Sequence, residues 1–141
     1  MVAPINVRLP HATYGVLDAY VRRTGAHKST IIAEAVVEWL RLQDHPAIRF
    51  VTPVAGVRRA AISDGPEVWS VAEAWLQFEE SERNVPAVAS AIGLRPDQVE
   101  AALSYWADNR DEIDNLVDQI HRAQEDGHAA WLRRQALDAL A

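Results

Sequence analysis

The sequence predicts a mainly α protein: an N-terminal strand and two helices that pair with a second copy, then a small helical body carrying a short β-hairpin. Three observations carry this reading. Residues Ile5-Asn6-Val7-Arg8-Leu9 alternate apolar and polar side chains, the period of a strand. Most of the chain beyond Pro10 repeats apolar residues every three or four positions, the period of a helix. Proline and glycine separate most of the periodic stretches, most clearly at Gln43-Asp44-His45-Pro46, and with a charged interruption ending at Asp114 they divide the chain into segments 1–43, 44–114 and 115–141.

The strand sets Ile5, Val7 and Leu9 on one face and Asn6 and Arg8 on the other. Its backbone groups need partners, and no neighbouring strand has matching alternation. The same strand of another copy is therefore the expected partner. A two-fold ribbon with polar side chains on its outer face has the shape of a major-groove reader. A first helix is expected over about His11 to Thr24, with apolar residues at Tyr14, Leu17, Tyr20 and Val21 and an ending at Gly25. The second, to about Leu42, carries the broad stripe Ile31, Ile32, Ala35, Val36, Trp39 and Leu40. One short neighbouring helix cannot cover that stripe, which points to a dimer core of Ile5, Val7, Leu9, Ile32, Val36 and Trp39.

Beyond Pro46, Ile48–Val51 and Val57–Ile62 are short, partly β-branched runs around Thr52-Pro53-Val54-Ala55-Gly56, the pattern of a small hairpin. Ser63-Asp64-Gly65-Pro66 is a turn opening a helix from Glu67, with Val68, Val71, Ala72 and Trp75 on its buried face. A short helix over Asn84 to Ile92, a turn at Gly93 and a helix begun by Pro96-Asp97 come next, with Val99, Ala102, Leu103 and Trp106 inward. A charged interruption is expected over Asp108 to Asp114. Ile113, Leu116, Val117, Ile120 and Ala123 then restore the helical period. A break is expected at Gly127-His128, before an amphipathic tail with Ala130, Trp131, Leu137 and Leu140.

Hydrophobic content of 49% is ample for a core. No apolar run approaches the roughly 20 residues of a membrane span, and the N-terminus has no signal-peptide core, so no membrane partner is expected. Cysteine is absent, which excludes disulfide and thiol chemistry and favours a cytoplasmic setting. The net charge of −6 is unevenly spread. Residues 1–43 carry Arg8, Arg22, Arg23, Lys28 and Arg41 against Asp18, Glu34 and Glu38, a net +2, which leaves −8 for the remainder. A basic head on an acidic body suits a head that meets a polyanion.

The N-terminal unit resembles the ribbon-helix-helix family of bacterial repressors and antitoxins. The resemblance lies in the Ile5-to-Pro10 ribbon, Leu17-Asp18-Ala19-Tyr20, the Gly25-x-x-Lys28-Ser29 turn and Ala35-Val36-x-x-Trp39-Leu40, and covers about the first third of the chain. It implies that Asn6 and Arg8 read base edges, arginine gripping guanine and asparagine adenine, each with two hydrogen bonds. It also implies that Lys28, Ser29 and Thr30 hold a phosphate at the start of the second helix. The chain departs from the family at Pro4, where a third outward reader is expected, and at His27, where a serine-type cap is usual. The plainer alternative for Asn6 and Arg8 is a solvated edge with no ligand.

Ala89-x-x-x-Gly93-Leu94 followed by Val99 has helix-turn-helix spacing. Its would-be recognition helix, Pro96 to Asp108, holds Asp97, Glu100 and Asp108 and no lysine or arginine, which opposes phosphate and favours a packing or protein-contact role. The region from about His45 to Asp114 is similar to the helical family called domain of unknown function 433. The similarity lies in Val68-Trp69-Ser70-Val71, Gln98-Val99-x-x-Ala102-Leu103-Ser104-Tyr105 and Asp111-Glu112-Ile113-Asp114, with Gly56-Val57-Arg58-Arg59 as a reduced form of the family's opening. Members are regarded as antitoxins, often paired with PIN-type ribonuclease toxins. The tail then becomes a toxin-binding element in which Trp131 anchors and Arg133 and Arg134 enter an acidic nuclease site. The alternative is a helix packed on its own dimer, with Trp131 as a core residue.

Enzyme signals are lacking: there is no phosphate-binding glycine loop and no serine nucleophile elbow. His121 and His128 stand about two helical turns apart, roughly 10 Å, too far to share a metal. Glu79-Glu80-Glu82 and Asp108-Asp111-Glu112 read as solvated acidic faces. The expectation is thus a non-enzymatic antitoxin with no cofactor and no metal. It would bind operator DNA as a homodimer or higher homo-oligomer, repress its own operon and neutralise a toxin. A repressor whose body senses a ligand or drives oligomerisation is the runner-up, and an interaction module without DNA the third.

Overall fold

The computed structural model describes residues 2–53 and 57–140. Among these, six helices and one two-stranded sheet are present: α1 His11–Thr24, α2 Lys28–Asp44, β1 Ile48–Val51, β2 Arg59–Ile62, α3 Val68–Gln77, α4 Val85–Ile92, α5 Pro96–Asp108 and α6 Arg110–Asp138. The molecule is mainly helical. It divides into two compact units, Met1–Gln43 and Asp44–Ala141.

In the first unit, α1 starts after Pro10, whose carbonyl accepts from the Tyr14 amide, and ends on Gly25. Gly25 takes φ of 73°, a left-handed conformation that glycine adopts without a Cβ penalty, and its N–H returns to the Val21 carbonyl at 2.9 Å. The chain then re-enters helix at Lys28, where the His27 carbonyl accepts from the Ile31 amide. Residues 2–10 carry no regular secondary structure within the single chain. A strand is defined by its ladder, and the described residues form no sheet besides β1–β2.

The second unit is built around α5, which packs on α3, α4, α6 and both strands. The hairpin pairs antiparallel, Ile48 with Ile62 and Val51 with Arg59. The segment 54–56, within the expected connection, lies outside the described residues, as does the Gly56 that opens the reduced motif. Buried side chains come from every element: Ile48, Ala60 to Ile62, Val68, Val71, Ala72, Val88, Ala89, Val99, Ala102, Tyr105, Trp106, Ile113 and Val117. Trp75 and Leu103, expected inward, are half-buried. Asn84 caps α4 by accepting from the Ala87 amide at 2.9 Å, and Gly93, with φ of 71°, ends it.

Of two expected breaks in the helical pattern, one shrinks to a single residue and the other does not occur. The charged stretch Asp108–Asp114 interrupts the helix only at Asn109, with φ of −132°. Asp111 and Glu112 instead fill the first turn of α6, where the helix dipole favours acids. Gly127-His128 does not break α6, which runs 29 residues without interruption. A lone glycine in a helix costs only about 1 kcal/mol against alanine, less than the surrounding alanines, glutamine and arginines supply in propensity. The expected boundary at residue 114 therefore falls inside one helix.

Candidate nucleic-acid interface

The first unit exposes what a folded unit ordinarily hides. Neither α1 nor α2 contains a buried residue. Ile5 is 84% exposed, Val36 52% and Trp39 60%; Val7 is also exposed, while Leu9 and Ile32 are half-covered. All six residues expected in a dimer core therefore lie outside any core of the single chain. Tyr14, Val16, Tyr20, Val37 and Leu40 extend this apolar surface.

Asn6 and Arg8 are exposed, as are Ser29 and Thr30 in the first turn of α2. That turn offers backbone N–H groups without intrahelical partners, the usual seat for an anion. Lys28, expected with Ser29 and Thr30 to hold a phosphate, is engaged by side chains of α1. Its Nζ stands 3.0 Å from Asp18 Oδ1, donates to Tyr14 Oη at 3.0 Å and lies 4.5 Å from the centre of the Tyr14 ring. Asp18 is also held by Arg22. The Lys28 ammonium and then the Arg22 guanidinium hold the Asp18 carboxyl below its ordinary range, while the Tyr14 hydroxyl and Asp18 raise Lys28. Tyr14, Asp18 and Arg22 succeed one another at four-residue steps, a spacing visible in the sequence, but their convergence on Lys28 depends on the Gly25 turn.

The helix-turn-helix-like pair has a different surface. The inner face of α5 is occupied: Gln98, Val99, Ala102, Tyr105 and Trp106 are buried. Arg95, just ahead of α5, is bound by Asp64 at 2.6 Å and Asp97 at 3.0 Å. Asp97 and Asp64 raise its pKa, and Arg95 followed by Gln98 lowers that of Asp64. The one arginine at this helix start is thereby neutralised twice. Gln98 fixes the corner, accepting from the Arg95 amide at 2.8 Å and donating to the Asp64 carbonyl at 3.1 Å.

The acidic runs are not uniformly solvated. Asp108 pairs with the nearly buried His45 at 2.9 Å, and Glu112 accepts from Tyr105 Oη at 2.7 Å, whereas Asp111 and Glu79, Glu80 and Glu82 are exposed. His121 is engaged by Glu73, tying α6 to α3. No group of three or more metal-ligating side chains occurs among the described residues. From His121 onward α6 has no buried residue; Trp131, Arg133 and Arg134 are exposed, and the His128 ring stacks on Trp131 at 5.9 Å. Trp131 is thus not a core residue of its own chain. No described helix is long and apolar enough to cross a membrane. No protein-family model, curated protein or solved structure matches the chain.

Proposed function

We propose that this chain is the antitoxin of a type II toxin–antitoxin pair, dimeric through its N-terminal unit, binding operator DNA and repressing its own operon. The observation that carries the reading is the uncovered apolar surface of α1 and α2 beside a strand-patterned segment bearing Asn6 and Arg8. A second copy would cover that surface and complete the ladder of residues 5–9 in one step. The paired ribbon then offers Asn6 and Arg8 to the major groove, with Ser29, Thr30 and Lys28 at flanking phosphates. The net +2 of this unit favours a polyanion, and the acidic body with its neutralised Arg95 does not.

The toxin is engaged by the distal half of α6. A helical segment that buries nothing in its own chain has its apolar residues free for a partner, and Trp131 with Arg133 and Arg134 suits the acidic site of a PIN-type ribonuclease. The test is genetic. A short neighbouring gene encoding an acid-dependent ribonuclease should be toxic alone and harmless when co-expressed with this chain. Persistent toxicity would sink the antitoxin reading.

One observation favours the ligand-sensing alternative. A cavity of about 440 Å³ between β2 and α6 is lined by Arg58, Arg59, Asn115, Leu116 and Gln119 among others, a volume in the range of small-molecule sites. A metabolite screen by thermal shift separates the two: a ligand that raises the melting temperature and changes DNA affinity, with no toxin partner, selects the sensor.

A further inference from the structure

Two cations of the first unit converge on one internal carboxylate. Arg22 reaches Asp18 from one turn along α1, and Lys28 reaches it across the Gly25 turn, its Nζ 3.0 Å from Oδ1 and steadied by the Tyr14 hydroxyl. Two nitrogen cations around one oxyanion is the arrangement a phosphodiester would ask for. Here the oxyanion belongs to the protein. Asp18 and Lys28 keep 24% and 35% of their side-chain surface in water, and Arg22 keeps 79%, so a solvent-borne anion can reach the cluster without unfolding it. Exposed ion pairs are weak and exchange readily.

We propose that Asp18 is an internal counter-anion that competes with nucleic-acid phosphate for Lys28 and Arg22, lowering sequence-independent affinity while leaving base reading by Asn6 and Arg8 untouched. The inference rests on the DNA-binding reading above. Affinity for a duplex grows with the number of phosphates neutralised, because each neutralisation releases condensed counterions. A lysine already paired with a carboxylate exchanges one anion for another, and the freed carboxylate then repels the backbone. The net gain from Lys28 is therefore small. Specific and non-specific duplexes are weakened alike, so sequence preference still rests on Asn6 and Arg8 while the protein leaves the many competing sites more readily.

A purely structural role for Asp18, fastening α1 to α2, predicts altered stability but no altered salt dependence. The experiment therefore reads the salt slope. Full-length parent and Asp18→Asn are titrated with a mixed-sequence DNA duplex over a series of sodium chloride concentrations. Asp18→Asn should bind several-fold tighter at low salt, with a slope steeper by about 4 per dimer, since Lys28 and Arg22 of each protomer are freed and each freed cation adds about 0.9. Adding Lys28→Gln to Asp18→Asn should remove about half of that increase, the rest being due to Arg22; a slope as steep as that of Asp18→Asn alone overturns the competition for Lys28. Equal affinity and slope in parent and Asp18→Asn overturns the competition while leaving DNA binding intact. If neither binds the duplex, the DNA reading and the competition fall together. Should Asp18→Asn fail to fold, the parent supplies the readout. Its Asp18 carboxyl ¹³C resonance should move as duplex is added and Lys28 departs, and an unmoved resonance with duplex bound overturns the proposal.

Discussion

Arg8 and Lys28 carry the same charge in the same unit but stand in different chemical situations. Arg8 is exposed on a segment without internal ladder partners, whereas Lys28 is fastened to Asp18 and Tyr14. Arg8→Ala should therefore lower affinity for a preferred duplex by about 1–3 kcal/mol for each lost two-bond contact, and lower it little for mixed sequence, as read by parallel titrations. Lys28→Ala should weaken all duplexes alike, with only a modest flattening of the salt slope. The Asp18–Lys28 tie also has a pH signature. Asp18 is lowered, so its contribution is present above the ordinary carboxylate pKa and lost as pH falls through the lowered value. Lys28 is raised, so its contribution is full below the ordinary lysine pKa and lost as pH rises through the raised value. Thermal melts of parent and Asp18→Asn should differ around neutrality and converge in acid. Single residues of local meaning were legible in the sequence: Gly25, Asn84 and Gly93 all punctuate helices as their residue types require. Pairings such as Arg95–Asp64 and His45–Asp108 were not, because a periodic pattern reports which face is apolar and is silent about which distant polar group meets it.

At the scale of elements, α6 separates local propensity from tertiary support. Its first turns bury Ile113 and Val117 against the body, and its distal half stands on intrinsic helicity alone. A Cβ at Gly127 would meet nothing within 4 Å, and this glycine has no left-handed φ. Gly127→Ala should thus stabilise the distal helix by about 0.8–1 kcal/mol, seen as greater helicity by circular dichroism and slower amide exchange beyond residue 121. No change would mean that the distal segment is not helical in solution. Glycine at 127 invited a break because sequence punctuation weighs one residue, while a helix sums propensity over its whole length. Gly93 is the contrasting case. Its φ of 71° penalises any side chain, and Gly93→Ala should cost about 1–2 kcal/mol in a denaturant titration. The hairpin and the helices of the body were legible from alternation and period, whereas the alternation of residues 5–9 expresses a demand for a partner that the single chain does not meet.

At the scale of the molecule, the two units differ in how they account for their apolar residues. The second closes a core of its own around α5, whereas the first leaves Ile5, Val7, Val36, Trp39 and Leu40 in water. This asymmetry parallels the charge split, with the uncovered unit basic and the closed unit acidic. Both are accounted for if the first unit is one half of a DNA-reading dimer. Val36→Asp with Trp39→Lys should then convert a dimer to a monomer in sedimentation equilibrium and abolish duplex binding, because burying charge without a partner at such an interface is strongly unfavourable. The most direct measurement is selection of duplexes from a random pool by the full-length protein and by Arg8→Ala. The parent should enrich paired half-sites related by two-fold symmetry, and Arg8→Ala should lose that enrichment while still retaining DNA at low salt. A pool left unenriched by the parent, or enriched identically by both proteins, would contradict the account.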